Sequence, residues 1–471
     1  MTSTIHIPAL RFGQIYRSMD TMTTAGAEVS QVNSGLLRRD LLGVEAAAAS
    51  LRDIPMVRLF AICAESGRRF LDGDLPVGDL GQTQSAEDYV RQCSASTGLP
   101  LALVRNNMGK IAHVLTHMPE ILRGLTRGLD PAVIDAGLGE QAGVPGSYFP
   151  TTNVLGVVLP SNSPGVNSLW IPALALKIPV VLKPGRDDPW TPWRIIQALT
   201  AAGCPRQAFG FYPTGHDGAH ALLASCGRSL LFGDAAIAKR YTGDPRVEVH
   251  GPGYSKVLIG EDRIDSWREF IPILADSVAA NGGRSCVNAS CIVVPRYGRE
   301  IAAALAERLA TVVPRNADDP TATLAGFANA AVAESISAAI DAGLAEPGAD
   351  DCSARIRGTP RLVQHQGRSF LNPTVVRCDS FAHPLSNREF LFPYASVVEV
   401  PQRDMLKRIG QSLVVSAITN DPSWKRELLA SKLIHRLNLG AMPTCHVQWD
   451  QPHEGNLFES LYCRRAVQVV G

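Results

Sequence analysis

The sequence predicts an α/β chain: a doubly wound parallel sheet, a second α/β domain after it, and a small β ribbon. From Asn153 onward, short apolar runs alternate with helical stretches across short loops, the pattern that builds parallel βαβ units. Several of those runs end at Pro or Gly, which places turns where strands stop. The chain has 471 residues, 45% hydrophobic and 19% charged. That is enough for two or three domains and an ordinary globular composition.

Residues 1 to about 150 read as mostly helical. Apolar residues fall at helical spacing over 31–51, 56–70 and 95–125, the last broken near Gly98-Leu99-Pro100. The Gly/Pro-rich stretch 139–152 marks a boundary or an exposed ribbon. Beyond it the expected order is strand 154–159, helix 165–177, strand 179–183, helix 187–202, strand 209–212, helix 216–225, strand 229–232 and helix 234–241. Short strands at 247–249 and 257–259 follow, then an amphipathic helix over 267–280 and an apolar strand at 291–294.

Charge and cysteine usage narrow the classes of function. Lys+Arg is 45 and Asp+Glu 44, a net charge of +1, which points to neither a nucleic-acid nor a membrane-surface partner. No apolar run approaches the length of a membrane span, and residues 1–10 carry no secretory pattern. The 10 cysteines include no CxxC pair, so neither a zinc ribbon nor a disulfide scaffold is expected, and no metal ligand set is read from the spacing. Free thiols in this number fit a reducing, cytoplasmic setting.

One stretch stands out: Asn281-Gly282-Gly283-Arg284-Ser285-Cys286-Val287-Asn288. The helix before it is stopped by the glycine pair, and an apolar strand follows, so Cys286 sits on a loop between two rigid elements. A nucleophile belongs in such a place. A lone cysteine is more often a small buried hydrophobe, but Gly, Arg, Ser and Asn are poor core material, and Arg284 would favour a thiolate.

The carboxyl ends of the predicted parallel strands are where such sheets bind ligands. The first is followed by Pro160-Ser161-Asn162; the Asn162 amide can donate to an oxyanion or simply make a turn. The second ends at Lys183-Pro184-Gly185-Arg186, cations suited to a ribose or phosphate or to solvent. The fourth runs into Gly233-Asp234 at a helix start, which suits a pyrophosphate unless Asp234 is only an N-cap. Neither GxGxxG nor a P-loop is present.

Taken in order, Pro-x-Asn at 160–162, Leu-Lys-Pro at 182–184, Phe-Gly at 232–233, the Gly-rich turn at 251–253 and Gly-x-x-Cys at 283–286 resemble the aldehyde dehydrogenase superfamily. Arg388-Glu389-Phe390-Leu391-Phe392-Pro393 is similar to its Glu-x-Phe-Gly-Pro segment, and 412–421 to a later strand and turn. The resemblance covers roughly residues 150–450. It implies Cys286 as nucleophile and Asn162 as oxyanion donor. Pro160, Ser161, Lys183, Arg186 and Gly233 would lie on the adenine and pyrophosphate side of NAD or NADP, and Glu389 at the nicotinamide ribose. Arg186, where many NAD-preferring members carry Glu, leans toward NADP.

Residues 1–260 are then expected to hold the helical segment and the cofactor-binding domain, and 261–440 the catalytic domain. The remainder, 441–471, would be a tail and oligomerisation strand, with the alternating segment 465–470 pairing to a neighbouring subunit in a homodimer or homotetramer. The polar stretch 448–459 lies where the family passes its active-site mouth, and His453 and Glu454 could touch substrate or cofactor there.

The family's hydrolytic members carry Glu-Leu-Gly-Gly-Lys where this chain reads Val249-His250-Gly251-Pro252-Gly253-Tyr254-Ser255-Lys256, with His250 in place of the water-activating Glu. The Gly-Pro-Gly, with Pro160-Ser161-Asn162-Ser163-Pro164 upstream, resembles the CoA-acylating aldehyde dehydrogenases and acyl-CoA reductases. The expected activity is therefore NAD(P)-dependent interconversion of an aldehyde and its acyl-CoA through a thioester on Cys286, with CoA as co-substrate. Alternatively His250 is itself the base, or Glu248 substitutes for it, and the enzyme releases a carboxylic acid. A non-catalytic nucleotide-binding relative is the third reading.

Overall fold

The computed structural model describes residues 5–141 and 143–468. The chain divides into two units. The first contains residues 1–96, 104–251 and 448–471, the second residues 97–103 and 252–447.

The first unit is built on a seven-stranded sheet. Its strands are β1 (Ala9–Arg11), β2 (Gln14–Tyr16), β3 (Leu155–Val158), β4 (Val180–Lys183), β5 (Phe209–Phe211), β6 (Arg228–Phe232) and β7 (Val247–His250). The spatial order is β7-β6-β3-β4-β5-β1-β2. Strands β3 to β7 pair in parallel, whereas β1 pairs antiparallel with β5 and with the edge strand β2. Residues of β3 and β5 are buried without alternation, as expected of parallel strands covered on both faces. Helix Trp190–Ala201 is buried almost along its whole length. Its Arg194, wholly buried, donates to the carbonyls of Phe70 at 3.0 Å, Gln84 at 2.9 Å and Gly73 at 2.8 Å. One cation thus satisfies three carbonyls, two at the C-terminal end of helix Met56–Asp72 and one at the end of strand Gln82–Gln84.

The helix expected at 216–225 is present as His216–Ser225. That expected at 165–177 is replaced by a 3-10 turn, Pro164–Leu169, and a short helix, Pro172–Ala175, because Pro172 cannot donate to a preceding turn. The N-terminal region corrects a second expectation. Helices fill Ser34–Leu41, Val44–Arg52 and Met56–Asp72, but Ile5–Ile7, Thr21–Thr24 and Ala27–Ser30 form a three-stranded sheet. Strands of three or four residues are too short to show a period of two in sequence.

The second unit holds another seven-stranded sheet: β8 (Ser255–Ile259), β9 (Ala289–Val294), β10 (Ala349–Asp351), β11 (Thr374–Cys378), β12 (Tyr394–Glu399), β13 (Ser412–Ile418) and β14 (Ile434–Leu439). Its order is β10-β11-β12-β9-β8-β13-β14, parallel except for β10. The boundary expected at 260 therefore moves to 251. Strand β8 pairs with β9 and β13 and is a central strand of the second unit. Nor do residues 441–471 stand as a segment of their own: the division falls at 447, and the following residues belong to the first unit.

The Gly/Pro-rich stretch at 139–152 is a ribbon. Gly139–Gln141 pairs with Val144–Pro150, which pairs in turn with Tyr462–Arg465. The terminal strand expected at 465–470 lies earlier, at Tyr462–Arg465, where it pairs within the chain. Ala466–Gln468 have no regular structure, and Val469 and Val470 lie outside the described residues. Among the described residues no helix is long and apolar enough to cross a membrane.

Candidate active site

The candidate residues divide between the units. Pro160, Ser161, Asn162, Lys183, Arg186, Gly233 and His250 belong to the first; Cys286 and Glu389 belong to the second.

In the second unit, helix Trp267–Ala279 ends and the chain takes a left-handed path: Asn281, Gly282 and Gly283 all have positive φ, at 53°, 67° and 69°. Gly283 has no substitute, because a Cβ there would run into the backbone of Phe392 and Pro393 as well as sitting in a conformation that L side chains disfavour. Asn288, buried, then ties the loop shut. Its side chain accepts the Ser285 N–H at 2.9 Å and donates to the carbonyls of Ser277 and Ala280 at 3.1 and 3.0 Å. Arg284 is buried as well; it donates to the Thr97 carbonyl at 3.0 Å and lies 4.8 Å over the Phe327 ring. Arg284 thus anchors the loop.

Cys286 is half-buried on this loop, whereas Cys291 is fully buried in β9, where desolvation raises its thiol pKa. The Cys286 carbonyl accepts the Ser255 hydroxyl at 2.8 Å, and a Cβ at Gly253 would collide with that same carbonyl. The Gly253 of the Gly-Pro-Gly turn is therefore required by the backbone that carries the nucleophile.

Sequence reasoning missed Lys256. It is wholly buried and donates to the Tyr254 carbonyl at 2.6 Å and the Ser412 hydroxyl at 3.1 Å. Burial pulls its ammonium down to about 8, opposed by Cys291 and Glu389. Tyr254 has φ 44°, a conformation a bulky residue adopts only when held. Its N–H donates to the Glu389 carboxylate at 2.7 Å. Lys256 thus latches Tyr254, and Tyr254 aims Glu389. A lysine inside an apolar strand pattern was the available signal.

In the first unit the carboxyl ends of β3 and β4 lie together. The Ser161 hydroxyl accepts the Asp187 N–H at 2.9 Å, and a Cβ at Gly185 would meet the Pro160 carbonyl and Ser161. Lys183 is half-buried, its ammonium pKa lowered by desolvation against the pull of Asp187, while Arg186 is exposed. The half-buried Asn162 follows β3 in a loop braced by Asn107, which accepts the Gly165 N–H at 3.2 Å. Gly233 donates to the His250 carbonyl at 3.1 Å. Asp234 is the cap of helix Ala235–Tyr241, accepting the Ile237 N–H at 2.9 Å, so its carboxylate already occupies the helix start.

His250 is buried at the end of β7, stacked on Phe232 at 4.5 Å between ring centroids. Nε2 faces Glu248 at 3.1 Å, and Nδ1 faces Glu454. Burial disfavours the charge, but Glu454 and Glu248 together outweigh it and lift His250 to about 10. The expectation of a base poised near neutral pH is corrected: the ring is held between two carboxylates, with its side chain only 3% exposed. Glu454 and His453, which the sequence offered as possible substrate or cofactor contacts, stand at this ring, His453 stacked 6.0 Å from it.

The latch makes a prediction for hydrogen exchange. Replacing Lys256 by Met should speed exchange of the Tyr254 amide at least about tenfold, roughly 1.4 kcal/mol of local opening. The amides of β9 should be unaffected. Unchanged Tyr254 protection would remove Lys256 from this role.

Comparison with known proteins follows the same lines. Residues 82–410 match the family model described as the aldehyde dehydrogenase family. A curated relative, N-succinylglutamate 5-semialdehyde dehydrogenase 2 of Caulobacter vibrioides, is 30% identical over 169 residues, 33% of this chain and 35% of that protein. The chain thus spans about a third of that relative's length. A Pseudomonas syringae aldehyde dehydrogenase solved with NAD+ and octanal superposes with TM-score 0.80 at 17% identity, covering 99% of this chain and 97% of that one. The aldehyde dehydrogenase KauB of Pseudomonas aeruginosa gives TM-score 0.79 at 17% identity, with 98% and 96% covered. The loop that presents Cys286, the two parallel sheets and the match over 82–410 together make this chain a member of the aldehyde dehydrogenase family.

Proposed function

We propose that this protein is an NAD(P)-dependent aldehyde dehydrogenase that forms a thioester on Cys286 and passes the acyl group to a thiol such as CoA. The observation that carries the choice of acceptor is the position of His250. Water attack on a thioester needs a base within hydrogen-bond reach of that water. In the resemblance set out above, that base belongs at 250, where this chain has a buried imidazole with a carboxylate beside each nitrogen.

The residues fit a dinucleotide. Ser161, Lys183 and Arg186 gather a hydroxyl and two cations at the carboxyl ends of β3 and β4, which suits ribose and phosphate groups. An exposed Arg186 favours the 2′-phosphate of NADP. When bound, the nicotinamide ring supplies the hydride acceptor. The chain's own part begins with Cys286. Its sulfur, having given its proton to solvent, adds to the aldehyde carbon, and the carbonyl oxygen takes up negative charge. The Asn162 amide and the Cys286 backbone N–H are the donors assigned to that oxygen. Glu389, aimed by Tyr254, is assigned to the ribose beside the nicotinamide. Loss of hydride leaves the acyl group on sulfur. The incoming thiolate then forms the new thioester, and the Cys286 thiolate leaves.

A second reading, release by water, rests on Glu248. Its side chain is 20% exposed on the same strand, and it could serve as base if freed from His250.

Two measurements test the proposal. In single-turnover kinetics with aldehyde and NAD(P)+, a burst of reduced cofactor should stall until CoA is added. Rapid multiple turnover to free acid without CoA, strongly slowed by Glu248→Gln, would install the second reading instead. In steady state, Asn162→Ala should lower kcat by roughly a hundredfold or more, the scale for losing one preorganised donor, with cofactor KM nearly unchanged. Loss of stability alone, at unaltered kcat per folded molecule, would make Asn162 only a turn residue.

A further inference from the structure

The stretch 448–459 also supplies two side chains to the group of possible metal ligands found among the described residues. His250, His453 and Glu454 each offer one donor atom, and these atoms lie within 4.8 Å of one another. We propose that they form a binding site for a divalent d-block cation, with Zn2+ the best chemical match: two imidazoles and one carboxylate, with a further coordination position left open.

The surroundings support a built site. His250 is 4% exposed, so its donor lies out of bulk water. Its Nε2 faces the Glu248 carboxylate at 3.1 Å, which leaves Nδ1 on the side of Glu454. A carboxylate beside one nitrogen of a ligating imidazole, with the other nitrogen toward the metal, is the arrangement that orients such a ring. The turn carrying the other two ligands is fixed by its own hydrogen bond, His453 N–H to the Gly455 carbonyl at 3.1 Å. Gly455 lies close to the Glu248 carboxylate, which a Cβ there would meet. Phe232 stacks on the His250 ring at 4.5 Å between centroids.

Charge and size agree. Glu248 and Glu454, 20% and 12% exposed, bring two negative charges to a mostly dry place. A dication balances both with the imidazoles neutral, the form that ligates. Bonds of about 2.0–2.2 Å put tetrahedral donors about 3.4 Å apart, within the 4.8 Å spread of these three atoms. All four residues lie in the first unit, and the cation would staple the C-terminal segment to the end of β7. This inference is independent of the fate of the thioester.

The test is titration of the full, metal-free chain with Zn2+ by calorimetry, together with the visible spectrum of the Co2+-loaded protein. One equivalent should bind at micromolar or tighter affinity, raise Tm, and give a Co2+ spectrum without thiolate charge transfer. His453→Ala and Glu454→Gln should each weaken binding at least about tenfold and abolish the Tm shift, and Glu248→Gln should weaken it about tenfold. Cys286→Ala should bind like the parent. Absence of binding, affinity indifferent to His453 and Glu454, or a thiolate spectrum would each overturn the site. Circular dichroism of His453→Ala separates loss of a ligand from loss of fold; if that variant is unfolded, the folded Glu454→Gln decides.

Discussion

The constraint on which the candidate chemistry depends is a run of left-handed backbone. Asn281, Gly282 and Gly283 turn the chain out of its helix with positive φ, a path that costs most residues roughly 1–2 kcal/mol each. The cost is offset because the turn is over-determined. Asn288 gathers the carbonyls at the helix end, Arg284 is buried against Thr97 and Phe327, and Gly283 fits beneath Phe392 and Pro393 where no side chain could. Cys286 lies half-buried at the end of that scaffold. A nucleophile gains reactivity from fixed aim, and this loop obtains it from backbone hydrogen bonds and close packing, with Gly253 pressed against the Cys286 carbonyl from β8's side.

Much of this was legible in sequence because it is local. The strand–helix alternation from Asn153 is written in residue periodicity, and the glycine pair before Cys286 announces the turn. What escaped lies in strands too short to have a period and in contacts between distant parts of the chain. Ile5–Ile7 and Ala27–Ser30 pair with each other, yet neither is long enough to alternate visibly. Strand β8 follows directly after the first sheet's last strand, and only its pairing to β9 and β13 reveals its sheet. Lys256 was hidden because a charged residue in an apolar run reads as an interruption, not as a latch.

His250 shows the same limit at the site itself. Its place after β7 was readable, and a histidine there suggested a neutral-range base. The deciding partner, Glu454, comes from the far end of the chain, and no spacing rule joins the two. Once both carboxylates are present, the ring changes character, from a group that exchanges protons with water to one that binds a carboxylate on each side. The same distance in sequence explains why no metal pattern was visible: metal motifs are read from near spacing, and these ligands have none.

The central claim is that Cys286, among the ten cysteines, carries the acyl group. It is tested most directly by incubating the protein with aldehyde and NAD(P)+ in the absence of CoA, quenching in acid, and mapping the modified peptide by mass spectrometry. The account predicts a single acyl adduct on the peptide containing Cys286, absent from Cys286→Ala and discharged by CoA before quenching. No adduct, or one on Cys445 or Cys463, would contradict it.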